Sequence, residues 1–218
     1  ARPAAALADV LQMLAADGVE DAHGVLLRTH AAEVDRAVAA ITALYELPDT
    51  HEVLFLQGGA SLQFAMVPLN LGSGGAYVNT GAWSKKAIAE AKRYCKVNVA
   101  ADAGGNYSTV PARDSWKLTT GAAYVHYTPN ETIGGVEFPF IPDTGDVPLV
   151  ADLSSTILSR PLDVSRFGVI YAGAQKNLGP SSVTVVIVRK DLVEAGRKDI
   201  PVIFQYRTHS ENNSLYNT

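Results

Sequence analysis

Hydrophobic positions along the chain form two kinds of pattern, short continuous apolar runs and longer stretches with helical spacing. The short runs are rich in Val, Ile, Ala and Tyr, which is typical of strands buried on both faces of a parallel sheet. Between them, Gly, Pro, Asp and Thr mark turns and loops. Seven such runs predict strands at 52–57, 76–79, 96–100, 122–127, 148–152, 167–172 and 183–189.

Apolar residues between these runs recur at intervals of three and four residues. Val34, Val38, Ile41 and Tyr45 share one face of a helix predicted over residues 31–46. Strands that alternate with helices predict an α/β fold with a mostly parallel sheet and no division into two units. Further helices are predicted for the Ala-rich start of the chain, for 60–68 up to Pro68, and for 80–95 with Thr80 as its cap.

The composition excludes several classes of function. The chain has 218 residues, is 47% hydrophobic and carries a net charge of −4, without clusters of basic and aromatic residues, so nucleic-acid binding is not expected. No apolar run is long enough to span a bilayer, and the chain start lacks the features of a signal peptide. The single cysteine, Cys95, excludes an internal disulfide and favours a reducing, cytoplasmic location.

Small and polar residues follow the predicted strands at the edge where parallel sheets bind ligands. Gly58 and Gly59 separate a strand from a helix, an arrangement that binds phosphate through backbone N–H groups or simply makes a tight turn. Asp152 ends a buried strand, so its carboxylate needs a partner: a protonated ring nitrogen, a metal, or the next segment, which it or Ser154 could cap. The five histidines show no ligand spacing, which argues against a metal.

Lys176 lies in an Ala-Gln-Lys-Asn turn between two apolar strands, an unusual place for a solvated charge. A surface lysine is the ordinary interpretation, but an amine among apolar neighbours can also form a Schiff base with an aldehyde. Trp83 follows another strand and either packs in the core or stacks on a planar cofactor. A phosphate cradle, a carboxylate, a reactive lysine and a stacking ring together favour pyridoxal 5′-phosphate as cofactor.

Around these residues the chain resembles the phosphoserine aminotransferases, a class V aminotransferase family of fold type I that uses pyridoxal phosphate. The resemblance runs from about residue 31 to the end of the chain and is densest at 54–71, 80–100, 122–138 and 150–192. It implies a three-layer α/β/α fold with a mostly parallel seven-stranded sheet, like the large domain of aspartate aminotransferase. Residues 1–218 would form this cofactor-binding large domain.

The resemblance also implies roles for single residues. Lys176 is expected to be the Schiff-base lysine and general acid/base, and Asp152 the partner of the pyridine nitrogen. Asn217 and Thr218 would reach the cofactor phosphate of the neighbouring subunit in a homodimer with shared active sites. The other implied cofactor contacts are Ala60 and Ser61 in the phosphate-binding turn, Trp83 as the stacking ring, Thr132 and Gln175 at the ring hydroxyl, and Ser154 near the phosphate.

The chain departs from the family pattern in three places. Only the last part of the family's N-terminal Phe-Asn-Phe-Ser-x-Gly-Pro-Ala type segment is matched, at Ala1–Ala4. The Ser-His-Arg element that contacts the substrate phosphate aligns with Gly24–Leu26, and Arg28 and His30 lie nearby but out of register. The small C-terminal domain, which supplies the arginine for the substrate carboxylate, is not represented in the 218 residues.

The implied reaction is transamination between O-phospho-L-serine and 3-phosphohydroxypyruvate, with glutamate and 2-oxoglutarate as the second pair. It serves serine biosynthesis and, in many bacteria, pyridoxine biosynthesis. One alternative is another fold-type-I enzyme, such as an alanine–glyoxylate aminotransferase or a desulfurase; placing Cys95 inside a predicted helix argues against a catalytic thiol. The other is a non-catalytic fragment that binds cofactor or another subunit without turnover.

Overall fold

The structure is a computed structural model that describes the backbone of residues 23–216 and the side chains from residue 31 onward. The predicted N-terminal helix, Ala1–Ala4 and the terminal Asn217 and Thr218 therefore lie outside the described residues, as do the side chains of Gly24–Leu26, Arg28 and His30. The helices are α1 (His23–Tyr45), α2 (Gly59–Leu71), α3 (Ala82–Ala91), α4 (Lys190–Ala195) and α5 (Tyr206–Glu211). The strands are β1 (His51–Leu56), β2 (Gly74–Asn79), β3 (Lys96–Asp102), β4 (Tyr124–Tyr127), β5 (Asn130–Glu131), β6 (Val136–Glu137), β7 (Leu149–Asp152), β8 (Val169–Gly173) and β9 (Thr184–Arg189).

Seven strands form one sheet in the order β1-β9-β8-β7-β4-β2-β3. β9 runs antiparallel to both of its neighbours, and the other pairs in the sheet are parallel. β5 and β6 form a separate two-stranded hairpin. The seven strands of the large sheet are the seven predicted ones, and the mostly parallel arrangement is confirmed.

The two faces of the sheet carry separate hydrophobic cores, which makes the fold three layers thick. On one face, α1 packs Val34, Ala37 and Ile41 against alternate residues of the central strands. On the other face, α2 and α3 contribute most of the helical cover, with Met66 and Ile88 among the residues that pack there. Because both faces are covered, the central strands are apolar at nearly every position, which explains the continuous apolar runs.

Three helix boundaries differ from the predicted ones. α1 is already helical at His23, eight residues before the predicted start at 31, since a helix propagates through neighbouring residues whether or not they continue the apolar stripe. α2 continues past Pro68 to Leu71, because the buried packing of this helix outweighs the loss of one backbone hydrogen bond. α3 ends at Ala91, so Cys95 lies in the turn before β3 and not inside a helix.

The N-terminus of α3 also differs from the prediction. Thr80 is not the cap of this helix; Gly81 occupies that position, and the Thr80 hydroxyl is buried without a hydrogen-bond partner among the described residues. Glycine has no side chain with which to bind the free N–H groups of the first turn, so groups from elsewhere in the chain do this. In the described part of the chain, no helix is long and apolar enough to cross a membrane.

Candidate active site at the carboxyl edge of the sheet

The carboxyl ends of the parallel strands meet at one edge of the sheet and surround a small cleft. β1 leads into α2 there, β2 into α3, and β7 and β8 end with the segments that carry Asp152 and Lys176. Nine residues line the cleft: Ala60, Trp83, Thr128, Asn130, Asp152, Ser154, Ser155, Gln175 and Lys176. The tertiary structure thus brings together six of the residues singled out in the sequence, from four separate segments.

Asp152 is the last residue of β7 and is only 6% exposed. Its Oδ1 accepts hydrogen bonds from the backbone N–H of Ser154 at 3.0 Å and from the Ser154 hydroxyl at 2.6 Å. Among the described residues no donor contacts the second oxygen, Oδ2. Burial raises the pKa of Asp152, and the two hydrogen bonds from Ser154 and the charge of Lys176 oppose that rise.

Ser154 connects the ends of two neighbouring strands. Its hydroxyl donates to Asp152 and accepts the backbone N–H of Gly173, the last residue of β8, at 3.0 Å. A Cβ atom at Gly173 would lie 2.6 Å from the end of the exposed Gln175 side chain, which would have to move aside. The alternative in which Asp152 caps the next segment is therefore correct in part: its carboxylate binds the N–H two residues on, but a turn and not a helix follows.

Lys176 follows β8 and is exposed, because the turn that carries it projects from the edge of the sheet. Its amine nevertheless points to the cleft: Nζ donates to Thr132 Oγ1 at 2.7 Å and lies 4.6 Å from the centroid of the Trp83 ring. The indole Nε1 of Trp83 donates to the same hydroxyl at 3.3 Å. Lys86 lies 4.5 Å from the Trp83 centroid. Lys176, Trp83 and Thr132 thus form one cluster, although they come from three separate segments of the chain.

The turn between β1 and α2 is formed by two glycines. Gly58 and Gly59 adopt left-handed backbone angles, with φ of 86° and 66°, and a Cβ at Gly58 would lie 2.5 Å from Leu62. Ala60 lines the cleft, whereas Ser61 is exposed on the first turn of α2 and does not line it. The first N–H groups of a helix have no partner within that helix and carry its positive dipole end.

Two buried groups at this edge were not singled out in the sequence. Glu131 is fully buried and accepts hydrogen bonds from the first turn of α3. His126 is 1% exposed; its Nε2 lies 2.7 Å from the Tyr171 hydroxyl, and its ring stacks on Tyr77. Burial lowers the pKa of His126 to about 3, so the ring is neutral. His126 could have been found from the sequence, because a histidine inside a continuous apolar strand is unusual. Glu131 gave no such signal, since it lies in a segment with no predicted element.

Cys95 lies at the opposite edge of the sheet, directly before the first residue of β3. Its Sγ is 3.6 Å from the buried Tyr124 hydroxyl, and it does not line the cleft. The argument against a catalytic thiol therefore holds for a different reason from the predicted one, which placed Cys95 in a helix. Within residues 23–216, no group of three or more His, Cys, Asp or Glu side chains converges in a metal-binding arrangement.

The chain has a seven-stranded, mostly parallel sheet with a lysine and a buried aspartate at its carboxyl edge. Comparison with known proteins identifies the family to which a chain of this kind belongs. The family model for class-V aminotransferases matches residues 5–204. The chain therefore belongs to the class-V aminotransferase family.

Curated relatives narrow the comparison. The phosphoserine aminotransferase of Hahella chejuensis is 63% identical over 179 residues, which cover 80% of this chain and 50% of that protein. The phosphoserine aminotransferase of Pseudomonas aeruginosa PAO1 is 58% identical over 193 residues, covering 87% of this chain and 54% of the relative. The chain spans about half the length of the curated relatives it matches.

Solved structures of phosphoserine aminotransferases are also similar to this chain. Phosphoserine aminotransferase from Bacillus circulans subsp. alkalophilus matches 96% of this chain and 62% of its own, with a TM-score of 0.85 and 46% identity. The PLP-bound phosphoserine aminotransferase from Trichomonas vaginalis has a TM-score of 0.80 and 42% identity over 87% of this chain and 58% of its own. An alanine–glyoxylate aminotransferase from Nostoc sp., with a TM-score of 0.70 and 14% identity, shares the fold alone.

Proposed function

We propose that residues 1–218 are the cofactor-binding large domain of a pyridoxal 5′-phosphate-dependent phosphoserine aminotransferase. The observation that carries this proposal is the buried Asp152, which lines the same cleft as Lys176 and Trp83 and whose Oδ2 accepts no hydrogen bond from a described residue. A carboxylate in a buried residue is unfavourable unless a positive or hydrogen-bonding partner compensates for its lost hydration. A protonated ring nitrogen is such a partner, and the lysine and the tryptophan supply the other contacts that this cofactor needs.

The residues of the cleft, together with Thr132, which binds the Lys176 amine beside it, fit the cofactor part by part. Asp152 would hold the protonated ring nitrogen, and Trp83 would pack against the ring. Thr132 and Gln175 would form hydrogen bonds with the ring hydroxyl. Ser154, which the resemblance places near the phosphate, is already bound to Asp152 and Gly173 and would act by orienting the carboxylate.

The phosphate is expected at the start of α2, where the backbone of Ala60 and Ser61 and the hydroxyl of Ser61 are available. Exposure suits Ser61 to this role, because its hydroxyl forms no hydrogen bond with any other described residue. Asn217 and Thr218 of the neighbouring subunit would complete the phosphate site in a homodimer, as the family resemblance implies.

Bound pyridoxal phosphate supplies an aldehyde that reacts with amines and a protonated ring that withdraws electrons from the substrate Cα. The chain's own residues make that chemistry productive. Asp152 keeps the ring nitrogen protonated through a charge-assisted hydrogen bond in a buried setting, where such a bond is strong. Lys176 takes the proton from the substrate Cα and returns it during the reaction, as a general acid/base.

The proposed substrates are O-phospho-L-serine and 3-phosphohydroxypyruvate, with glutamate and 2-oxoglutarate as the second pair. High identity to phosphoserine aminotransferases over most of this chain supports this choice. The same resemblance supports a cytoplasmic homodimer that serves serine biosynthesis and, in bacteria, pyridoxine biosynthesis. A panel of amino donors, with phosphoserine set against alanine, distinguishes this reaction from that of an alanine–glyoxylate aminotransferase.

Covalent attachment of the cofactor to Lys176 is the sharpest test. The purified chain is incubated with pyridoxal phosphate, reduced with borohydride and digested, and the modified peptide is identified by mass. We expect the adduct on Lys176, its loss in Lys176→Ala, and no loss in Lys190→Ala, which removes an exposed lysine that does not line the cleft. An adduct that persists in Lys176→Ala would contradict the assignment, and binding without turnover of phosphoserine would support a non-catalytic role for the chain by itself.

A further inference from the structure

Glu131 makes a set of contacts that none of the implied cofactor residues explains. It is the last residue of β5, its side chain is fully buried, and no basic side chain forms an ion pair with it among the described residues. Oε2 accepts the backbone N–H of Trp83 at 2.9 Å, and Oε1 accepts the backbone N–H of Ser84 at 2.8 Å. The Ser84 hydroxyl donates to Oε1 at 2.8 Å. A buried carboxylate is thus satisfied entirely by the first turn of α3.

These contacts replace the cap that α3 lacks. Gly81 precedes the helix and has no side chain, and Lys85 is the first residue whose N–H binds a carbonyl of the same turn, at 3.1 Å to Gly81. Glu131 binds the free N–H groups at the second and third helical positions, where a negative charge also suits the helix dipole. The Ser84 hydroxyl in turn accepts the N–H groups of Thr80 and Gly81, both at 2.9 Å, so its hydrogen-bonding capacity is filled.

The backbone at Gly81 is matched to this carboxylate. A Cβ atom at Gly81 would lie 2.8 Å from Cδ of Glu131 and 2.9 Å from its Oε2, closer than real Cβ contacts allow. Glycine at this position therefore lets the carboxylate approach the helix end. The pairing of Gly81 with Glu131 is a structural dependence between two residues that are far apart in the sequence.

Through its side chain and its backbone, Glu131 connects two groups that are proposed to touch the cofactor. On the helix side it holds the backbone of Trp83 itself, and on the strand side the next residue is Thr132, which binds the Lys176 amine and the Trp83 indole. We propose that Glu131 is a positioning residue, which fixes the Trp83 ring and the Thr132 hydroxyl relative to one another and so shapes the place of the cofactor ring. The contacts of Glu131 do not depend on the proposed function, but the inference that they shape the place of the cofactor ring rests on it.

The test uses Trp83 as a reporter. The chain has two tryptophans, and Trp116 packs at the core with its indole N–H buried without a partner, so Trp116→Phe gives a parent protein in which Trp83 is the single tryptophan. Trp83 emission is then measured with acrylamide in the cofactor-free chain and during titration with pyridoxal phosphate. The dissociation constant and the emission that remains at saturation are both recorded.

Glu131→Gln keeps the shape of the side chain but turns one acceptor into an NH₂ group, which faces an N–H donor of Trp83 or Ser84. We expect acrylamide to quench Trp83 more strongly, the dissociation constant of pyridoxal phosphate to rise about tenfold, and the quenching by cofactor to stay incomplete at saturation. Incomplete quenching at saturation reports the placement of the ring, and a general loss of stability does not produce it. Glu131→Asp keeps the charge but shortens the reach, and the same changes are expected in weaker form.

Two control variants test whether the loss of any carboxylate from this hairpin, or a general loss of stability, would change the Trp83 signals in the same way. Glu137→Gln removes a carboxylate from the same hairpin, where it pairs with the exposed Arg160, and Ile187→Val weakens the core on β9. Both should leave Trp83 emission at saturation unchanged. If folded Glu131→Gln, or folded Glu131→Asp where the glutamine variant does not fold, shows the parent's Trp83 signals, the positioning role is wrong. If the parent itself does not bind pyridoxal phosphate, the proposed function fails, while the acrylamide measurement still decides the role of Glu131.

Discussion

The Ser154 hydroxyl joins two strand ends: it donates to Asp152 Oδ1 at 2.6 Å and accepts the backbone N–H of Gly173 at 3.0 Å. Asp152 ends β7, Gly173 ends β8, and Lys176 follows three residues later. This hydroxyl therefore adds to the backbone pairing of the two strands a direct link between the carboxylate and the strand end that precedes the lysine. This relationship explains why the buried acid is oriented before any ligand is bound.

Ser154→Ala should weaken both the fold and the cofactor site. The buried N–H of Gly173 loses its partner, which costs about 1–3 kcal/mol of unfolding free energy, and a pKa-lowering hydrogen bond to Asp152 is lost. We expect a lower urea midpoint and weaker binding of pyridoxal phosphate that worsens at low pH, because the pKa of Asp152 rises further. Ser159→Ala, which removes an exposed hydroxyl bound only to Thr156, should change neither. Equal affinity in the two variants would refute the role of Ser154.

Asp152→Asn should stabilise the cofactor-free chain at neutral pH. The asparagine Oδ1 can keep both hydrogen bonds from Ser154, and its NH₂ group replaces the oxygen that has no donor. Because burial raises the pKa of Asp152 in the folded state, ionisation costs stability as pH rises from the unfolded pKa of about 3.9 through the folded value.

The stabilisation by Asp152→Asn should therefore be present at pH 7 and vanish near pH 3, as measured by urea unfolding. With saturating pyridoxal phosphate the order should reverse, since the carboxylate then has a cationic partner. Asp146→Asn, at an exposed position, serves as the control. A variant that is less stable than the parent at pH 7 without cofactor would show that the carboxylate is not the costly group.

His126 should make the fold sensitive to mild acid. Burial lowers its folded pKa to about 3, whereas an unfolded histidine has a pKa of about 6.5, so the unfolded chain binds the extra proton as pH falls below that value. Stability from this residue is complete above about pH 6.5 and falls by about 2 kcal/mol between pH 7 and pH 5. His126→Gln, which can still bind the Tyr171 hydroxyl, should lose less stability over that interval. Parallel losses in parent and variant would exclude His126 as the cause.

Gly81→Ala should disrupt the start of α3. The added methyl group would lie 2.8 Å from Glu131, and the carboxylate or the helix end must move to accommodate it. We expect a loss of about 1–3 kcal/mol in unfolding free energy together with greater exposure of Trp83 to acrylamide. Gly74→Ala is the matched control, because a Cβ atom at this first residue of β2 meets no atom within 4 Å. A loss of the same size in both variants would point to the general cost of replacing glycine.

The central sheet could be predicted because its strands are buried on both faces, which leaves long apolar runs that local pattern alone reveals. The placement of Asp152 and Lys176 at the carboxyl edge of the sheet could be predicted for a related reason, since one ends and the other follows such a run. Their roles toward a cofactor stay predictions. Thr80 was the wrong cap for α3 because capping depends on where a side chain points, and the group that binds this helix end comes from residue 131, distant in the sequence.

The sequence by itself determined the order of strands and helices and the chemistry of the residues at the strand ends, because hydrophobic periodicity and turn formation are properties of residues close together in the chain. Only the tertiary structure decided which of those ends meet. The contacts of Lys176 with Thr132, of Glu131 with Trp83 and of Ser154 with Gly173 join segments that the pattern treats as independent. Parallel strands need long crossover connections, so groups that share one edge of the sheet are separated by many residues in the chain.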